Sequence, residues 1–284
     1  MPFSKLEGMG NDFVVMPLEA VVEGQGPQLA QEICERHFGI GADGLILYQK
    51  VVSAQADYVM RLFNADGSEA EVSGNGLRCL CAYLYHHQLQ SARELRLQTG
   101  AGLRRVRRLD PKPGEFWFEV EMGSPFFLAE EIPFHLEPSP ASLVGCELAV
   151  GEEIYSATVT SMGNPHCSLF VDDFESLDWP RLGRAIETHP AFPRRTNVEF
   201  VKVLGRGEME VRFWERGVGA TLASGTGSCA AVVASVLNGY TDRSVVVRTG
   251  GGKLKILWRS DDSVVLTGPA RLICEGEYCW NNAC

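Results

Sequence analysis

Two glycine turns, each followed at once by an apolar helix, constrain this chain more than any other feature. The first is Ser73-Gly74-Asn75-Gly76 and the second is Ser224-Gly225-Thr226-Gly227. Glycine lets a backbone come close to a ligand, and a helix start offers unpaired N–H groups and the positive end of a dipole. A single turn of this kind is a weak signal. Two of them, one in each half of the chain, predict an anion held between two helix starts.

The elements around these turns follow the same order in both halves of the chain. Strands and a short helix come first, then more strands, the glycine turn with its helix, and closing strands. This repetition predicts an internal duplication, with a boundary near Gly123-Ser124-Pro125. The short helices are predicted at 28–37 and 177–189, and Phe38 is expected on the apolar side of the first.

Length and charge narrow the class of protein. A chain of 284 residues can form two modest domains, and its 45% hydrophobic and 22% charged content is that of an ordinary soluble globular protein. The net charge of −10 argues against a nucleic-acid partner. One basic cluster is best explained as a solvated hairpin arm; it comprises Arg104, Arg105, Arg107 and Arg108.

The apolar segments and the cysteines predict a cytoplasmic protein. The N-terminus has no signal-peptide core, and the longest apolar run, 229–237, is shorter than the roughly 20 residues that span a bilayer. Nine cysteines, an odd number, are best explained as reduced and mostly buried thiols. Cys274, Cys279 and Cys284 are evenly spaced, but no histidine accompanies them, so we expect no metal site there.

Several polar residues lie at strand ends or turns, and they indicate a binding site only when they are considered together. Each asparagine alone is explained by turn chemistry, Glu215-Arg216 by a solvated pair, and His166 after Pro165 by a structural role. Together with the two glycine turns, they predict a pocket for a small amino acid whose carboxylate the helix starts hold. The set comprises Asn11, Asn64, Asn164, Asn197, His166, Glu215 and Arg216.

At these residues the chain resembles the diaminopimelate epimerase family, nearly from end to end. The shared motifs occur in one order and are highly specific as a set. They are Gly8-Met9-Gly10-Asn11-Asp12-Phe13, Gly39-Ile40-Gly41-Ala42-Asp43-Gly44, Phe63-Asn64-Ala65-Asp66-Gly67-Ser68, Gly74-Asn75-Gly76-Leu77-Arg78-Cys79, Met162-Gly163-Asn164-Pro165-His166, Asn197-Val198-Glu199-Phe200, Trp214-Glu215-Arg216-Gly217 and Gly225-Thr226-Gly227.

The resemblance implies an α+β fold of two pseudo-symmetric lobes, each a β-sheet or barrel wrapped around a central helix. The first lobe would comprise residues 1–124 plus 267–284 and the second 125–266, with the active site in the cleft between them. Family members convert LL- to meso-diaminopimelate, a precursor of lysine and peptidoglycan. They use neither pyridoxal phosphate nor a metal, so we expect no cofactor. The resemblance also implies a homodimer.

The family's chemistry implies roles for particular residues. Two cysteines, one on each face of the α-carbon, remove and deliver the proton, and their positions are Ser73 and Ser224 here. His166 and Glu215 correspond to the groups that help to ionise the thiols. The substrate-binding positions are Asn11, Asn64, Asn164 and Asn197 for the distal end of the substrate, Glu215 and Arg216, and Gly74, Asn75, Gly225 and Thr226 as backbone donors to the α-carboxylate.

Both acid–base thiols are therefore replaced by hydroxyls. A cysteine thiol has a pKa of about 8.5, whereas a serine hydroxyl ionises only beside a strong base. We expect binding to survive and turnover to be small or absent. We favour a Cys-to-Ser form of a true epimerase over a natural paralogue with another isomerase or dehydratase chemistry, and over a non-catalytic amino-acid-binding protein. A duplicated β-rich scaffold for a protein partner is the remaining alternative.

Overall fold

The computed structural model describes residues 1–109, 116–128, 131–140 and 142–280. The chain forms two compact units, one of residues 1–120 with 268–284 and one of residues 121–267. Two strands, β8 (Phe116–Gly123) and β17 (Val264–Glu277), have residues in both units. No helix among the described residues has the length and apolar character that crossing a membrane would require.

The first unit surrounds one long helix with strands. Its remaining elements are β1 (Pro2–Gly8), β2 (Asn11–Pro17), a 3₁₀ turn (Leu18–Ala20), α1 (Gly26–Ile33), β3 (Gly44–Lys50), β4 (Tyr58–Asn64), β5 (Glu69–Ala70), α2 (Gly74–His86), β6 (Glu94–Thr99) and β7 (Gly102–Leu109). The pairings β1–β2, β2–β3, β3–β4, β4–β6, β6–β7, β7–β8, β8–β17 and β17–β1 close a ring of eight strands.

The second unit follows the same plan. Its remaining elements are β9 (Cys146–Val150), β10 (Glu153–Ser161), β11 (Pro165–Phe170), α3 (Trp179–Glu187), β12 (Asn197–Gly205), β13 (Glu208–Glu215), β14 (Gly219–Thr221), α4 (Gly225–Leu237), β15 (Ser244–Thr249) and β16 (Gly252–Trp258). The strands pair in the order β9, β10, β11, β12, β13, β15, β16 and β17.

Strand direction supports the duplication independently of sequence. In the first unit β2 pairs with β3 and β4 with β6 in parallel, across α1 and α2 respectively. In the second unit β11 pairs with β12 and β13 with β15 in parallel, across α3 and α4. Parallel neighbours need a crossover connection, and each of these helices lies within one. The predicted α+β fold with an internal duplication is confirmed.

The helices after the glycine turns are the central elements of their units. Every residue from Gly74 to Tyr85 in α2 is buried, and all but a few of α4 are buried as well. A helix that is apolar on every side belongs inside a core, because no face of it prefers water. The serine at the start of each helix is therefore anchored to a buried element of its unit.

Two sequence expectations need correction. Helix α1 ends at Ile33 rather than at residue 37, and Phe38 is 91% exposed rather than packed. The helix stops before Phe38, so the helical spacing that would have aligned it with Leu29 no longer applies. The predicted helix at 177–189 is shorter, spanning Trp179–Glu187, and Asp178 accepts a hydrogen bond from Arg181 N at its start.

Buried thiols account for most of the cysteines. Of the eight that the structure describes, six are buried, and Cys274 and Cys279 are exposed. Cys284 lies outside the described residues. The arginines of the basic cluster lie on β7, where Arg107 pairs with Glu119 and Arg108 lies over the Tyr85 ring. Only part of that cluster is solvated as predicted.

Candidate active site

Both glycine turns place a serine at the N-cap of a buried helix. Ser73 and Ser224 have extended backbone conformations, with φ of −137° and −127°. Ser73 Oγ accepts a hydrogen bond from Gly76 N at 3.1 Å, and Ser224 Oγ accepts one from Gly227 N at 3.2 Å. A serine N-cap satisfies one of the free N–H groups of the first helical turn. The N–H groups of the two residues after each serine have no acceptor within the helix.

The first turn of α2 is held by a buried polar network. Arg78 is fully buried and donates to Gly74 O at 3.0 Å and to Asn75 Oδ1 at 2.8 Å. Asn75 Nδ2 in turn donates to Asn11 Oδ1 at 3.2 Å. Asn11 is the first residue of β2, so this network ties the start of that strand to the helix start. Two of the predicted binding residues are thus in direct contact.

Asp43, which precedes β3, extends the network. It accepts hydrogen bonds from Asn11 Nδ2 at 2.6 Å and from Arg36 Nη2 at 2.8 Å. Asn64 lies opposite Gly44 in the β3–β4 ladder but is exposed, and its Nδ2 donates to Ser68 Oγ at 2.9 Å. The structure therefore brings Asn64 to the same strand ends as Asn11 without joining the two side chains.

Asp12, the next residue of β2, is held by two cationic side chains. It forms ion pairs with Lys5 at 2.9 Å and with Arg36 at 3.0 Å. Burial opposes its ionisation, yet the hydrogen bonds and charges of Arg36 and Lys5 hold the pKa of Asp12 below its usual value. The start of β2 is therefore held by the ion pairs of Asp12 and by the amide network of Asn11.

In the second unit, the serine faces a carboxylate. Ser224 Oγ donates a hydrogen bond to Glu215 Oε2 at 2.8 Å. Glu215 ends β13 and is partly buried, whereas Ser224 is only 3% exposed. Burial raises the pKa of the Glu215 carboxyl, and the hydrogen bond from Ser224 opposes that rise without cancelling it. A carboxylate with a raised pKa is a stronger base than an exposed one.

Changing Glu215 to Gln is expected to raise the thermal stability at neutral pH but not at acidic pH. Because the folded-state pKa is raised, the folded chain binds this proton more tightly than the unfolded chain does. The associated stability is fully present below the unfolded pKa of about 4.3 and is lost as pH rises through the folded value. Glutamine stays neutral at every pH, so the variant does not lose this stability as pH rises. Thermal unfolding of Glu215→Gln and the parent from about pH 4 to about pH 8 should show a Tm difference that grows with pH.

Glu208 supplies a control of opposite sign. Its hydrogen bond from Arg248 lowers the pKa of the Glu208 carboxyl. The ionised Glu208 carboxylate therefore stabilises the folded chain at pH values above the unfolded pKa, and this stabilisation is lost as pH falls. Glu208→Gln should accordingly lower Tm at neutral pH. A Tm difference for Glu215→Gln that stays constant across the pH range would contradict the raised pKa.

A buried histidine–carboxylate contact lies next to the start of α4. His166 Nδ1 is 2.6 Å from Glu199 Oε1, and both side chains are essentially inaccessible to solvent, at 0% and 1% exposure. His166 Nε2 lies 2.9 Å from Asn164 Oδ1, and Ser168 Oγ donates to Glu199 Oε2 at 3.2 Å. A carboxylate on one ring nitrogen fixes the orientation of an imidazole and the role of the other nitrogen.

Glu199 also borders the helix itself. A Cβ added at Gly227 would lie 3.0 Å from Glu199 Oε1 and 2.9 Å from Phe213 Cδ1. Glycine is required there because the carboxylate comes this close to the first turn of α4. The pair His166–Glu199 and the pair Ser224–Glu215 therefore belong to one cluster within this unit.

The loop that carries Glu215 and Arg216 has its own supports. Asn197 Oδ1 accepts from the backbone N of Arg216 at 3.0 Å, and Asn197 Nδ2 donates to Pro165 O at 3.0 Å. Glu187 at the end of α3 accepts from Gly217 N and from Trp214 Nε1, both at 2.8 Å. The Arg216 side chain is exposed and donates to Arg194 O at 3.2 Å. Both polar atoms of Asn197 are thus engaged within the protein.

Three buried thiols of the first unit, those of Cys34, Cys79 and Cys81, are unsuited to acid–base chemistry. Cys79 and Cys81 lie inside α2, and burial raises the pKa of both well above its usual value. Burial likewise raises the pKa of Cys34 to about 12. The thiolate is the reactive form of cysteine, so these groups stay protonated and inert at neutral pH.

Sequence reasoning missed the roles of Glu199, Asp43 and Glu187. A signal existed for Glu199, because one acid stands within the run Asn197–Val201 that the structure buries completely. A buried carboxylate in an apolar strand requires a partner. Glu187 and Asp43 carried no comparable signal, since both lie at element ends where exposed acids are common.

Sequence comparisons assign the chain to one family. A family model described as diaminopimelate epimerase matches residues 3–128 and 158–273. A diaminopimelate epimerase of Pelotomaculum thermopropionicum is 46% identical over 280 residues, covering 98% of this chain and 99% of that relative. A diaminopimelate epimerase of Desulfitobacterium hafniense is 44% identical over 282 residues, covering 97% of each.

Solved structures share the fold at low identity. A probable proline racemase from Agrobacterium radiobacter K84 matches with a TM-score of 0.73 at 13% identity, covering 99% of this chain and 93% of that one. A phenazine biosynthesis protein of the PhzF family from Bacillus anthracis matches with a TM-score of 0.70 at 16% identity, covering 99% of each. These similarities bear on the fold alone.

Proposed function

Because this chain belongs to the diaminopimelate epimerase family, we propose that it binds diaminopimelate and turns it over slowly or not at all. Ser73 and Ser224 occupy the two acid–base positions on the α-carbon. Hydroxyls there would preserve the shape of the site while removing most of its proton-transfer power. The observation that carries this proposal is the capped serine beside Glu215, at the start of a helix that borders the His166–Glu199 pair.

Ser224 and Glu215 of the second unit can together accept the α-proton of the substrate. The C–H bond at the α-carbon breaks and its electron pair stays on that carbon. The proton passes to Ser224 Oγ while the hydroxyl proton of Ser224 passes to Glu215 Oε2, 2.8 Å away. A serine needs an adjacent base of this kind to act at all, and Glu215 is the group in place.

The substrate contacts are proposed on the same basis. The backbone N–H groups of Gly74, Asn75, Gly225 and Thr226 hold the α-carboxylate, because helix starts favour anions. Glu215 and Arg216 form a further pair that binds the substrate. The distal end is bound by Asn11, Asn64, Asn164 and Asn197. The homodimer, the cytoplasmic location and the absence of a cofactor stay predictions.

Calorimetric binding of diaminopimelate tests the proposal. We expect LL- and meso-diaminopimelate to bind at least about tenfold more tightly than L-lysine, which lacks the distal carboxylate and leaves polar groups of the site unpaired. Arg216→Ala should weaken binding, because its exposed guanidinium can donate to a substrate carboxylate in place of Arg194 O. Arg206→Ala, which removes an exposed arginine paired with Asp242, is the matched control. Equal affinity for lysine and diaminopimelate would overturn the proposal.

A second candidate function is favoured by one observation. Ser224 Oγ donates to the Glu215 carboxylate, whereas Ser73 Oγ accepts the capping bond from Gly76 N. An isomerase that uses a single base would need only the first arrangement. In heavy water such an enzyme would exchange the α-hydrogen of diaminopimelate without producing the other stereoisomer. Inversion at a rate equal to exchange would exclude it.

A further inference from the structure

Three potential metal ligands meet at the C-terminal end of α2. His86 and His87 close the helix, and Glu275 lies beside them on β17. His87 Nε2 is 2.9 Å from Glu275 Oε1, and His86 Nε2 is 3.7 Å from Glu275 Oε2. One ligand atom from each of the three residues lies within 4.8 Å of the other two. None of the three residues belongs to the candidate active site.

The cluster is ordered by its surroundings. Ser4 Oγ on β1 donates to Glu275 Oε1 at 3.0 Å and lies 3.1 Å from His87 Nε2. The His87 ring packs on Tyr83, with centroids 4.4 Å apart, and the two imidazoles are nearly perpendicular, at 87°. Packing and hydrogen bonds from outside a ligand set fix the orientation of the ligands. Three different elements, α2, β1 and β17, thus converge on one point.

The spacing of the donor atoms fits a single small cation. A tetrahedral zinc ion with bonds of about 2.0–2.1 Å holds its donor atoms about 3.3 Å apart. The two nitrogen–oxygen distances, 2.9 Å and 3.7 Å, lie on either side of that value. We propose that His86, His87 and Glu275 form a binding site for a divalent transition-metal ion of the zinc class.

The donor chemistry selects the ion. Two imidazole nitrogens with one carboxylate suit zinc, cobalt, nickel or copper rather than magnesium or calcium, which prefer oxygen ligands. Three protein ligands leave a fourth position for water or for the Ser4 hydroxyl. All three ligands are partly exposed, so an ion can enter from solvent.

The ion stabilises the fold and takes no part in the proposed reaction. Helix α2 has 13 residues, which places His86 about 20 Å along the helix from Ser73. At that distance the metal takes no part in chemistry at the serine. It joins the C-terminal end of the buried helix to β17, and through Ser4 to β1. Binding to the folded state alone stabilises it by mass action.

Cobalt titration of the full chain, after removal of bound metal by a chelator, tests the site. We expect visible d–d absorption with one equivalent of Co²⁺, displacement of Co²⁺ by Zn²⁺, and a Tm that rises with Zn²⁺ concentration. Thiolate ligation gives a distinct near-ultraviolet charge-transfer band, and that band should be absent. Its presence in the parent, and its loss in Cys274→Ser, would overturn the proposal in favour of the neighbouring cysteine.

Variants of exposed residues complete the test, because none of them is needed for the core. His86→Ala, His87→Ala and Glu275→Gln should each weaken Co²⁺ binding by at least about tenfold. His37→Ala removes an exposed histidine outside the cluster and should bind Co²⁺ like the parent. Unchanged Co²⁺ affinity in the three cluster variants, or weakening as large in His37→Ala, would overturn the proposal.

Discussion

Replacing Ser73 and Ser224 together by cysteine is expected to raise α-hydrogen exchange on LL-diaminopimelate by at least about 10³-fold. A positioned acid–base group contributes about 10² to 10⁴ in rate, and the parent lacks an ionisable group at both positions. A thiol with a pKa of about 8.5 is partly ionised near neutral pH, whereas a serine hydroxyl is not. The measurement is the loss of the α-hydrogen NMR signal in heavy water, with appearance of the meso form followed in parallel.

This gain should come with a loss of stability. Both serines are N-caps, with their hydroxyls 3.1 Å and 3.2 Å from the backbone N–H groups of Gly76 and Gly227. Sulfur is a weak acceptor, so each replacement weakens a cap that is typically worth about 1 kcal/mol. Higher exchange together with a lower free energy of unfolding would show that the same two atoms serve both roles.

Single replacements and a control define the contribution of each position. Ser224→Cys alone should restore exchange on one face, because Glu215 is already beside that atom. Both thiols are needed for inversion, so the two single effects should not add up to that of the pair. Ser235→Cys places a thiol in the buried interior of α4 and should leave exchange at the parent level. A double variant that binds diaminopimelate but exchanges no hydrogen would contradict the proposed roles.

Changing Glu199 to Gln is expected to destabilise the folded chain by about 1–3 kcal/mol. The Glu199 carboxylate contacts His166 Nδ1 and accepts from Ser168 Oγ, and an amide that cannot replace both contacts leaves a buried polar atom unsatisfied. Here both side chains are buried and the closest N–O distance is 2.6 Å. Urea unfolding measures the change. Glu210→Gln on β13 is the control; its pair with Arg212 is partly exposed, and its cost should be at most about 0.5 kcal/mol.

The double change His166→Gln with Glu199→Gln measures how strongly the two side chains are coupled in their effect on stability. When both partners are replaced, neither is left facing a partner that was built to pair with it, so the double change should cost less than the sum of the single changes. In the background carrying both cysteines, Glu199→Gln should also slow α-hydrogen exchange more than it weakens ligand binding. That split would mark Glu199 as a residue that positions His166. Additive stability effects would show that the two side chains are not coupled.

Much of the fold was predictable from local signals. Glycine followed by a continuous apolar run indicated both central helices, and the repeated order of elements indicated the duplication, because these depend on residues close in sequence. The end of α1 was missed, and Phe38 was placed on its apolar side although it is exposed. Nothing local distinguishes a helix that stops at Ile33 from one that continues for another turn.

The candidate site was predictable in its members but not in its contacts. His166 and Glu199 are 33 positions apart, and they meet because β11 and β12 pair in parallel across α3. Asn11 and Asn75 are 64 positions apart, and they meet because Arg78 and Asp43 hold them from either side. Side-chain partners of this kind depend on strand register, which no short segment of sequence specifies.

The sequence alone determined two buried helices, the serine at the head of each, and membership of the diaminopimelate epimerase family. Tertiary structure alone decided that Ser224 meets a carboxylate and that Glu199 is a partner of His166. It also brought Glu275 to the end of α2. The physical reason is that helix formation and capping act within a few residues, whereas burial and charge pairing depend on which distant strands become neighbours.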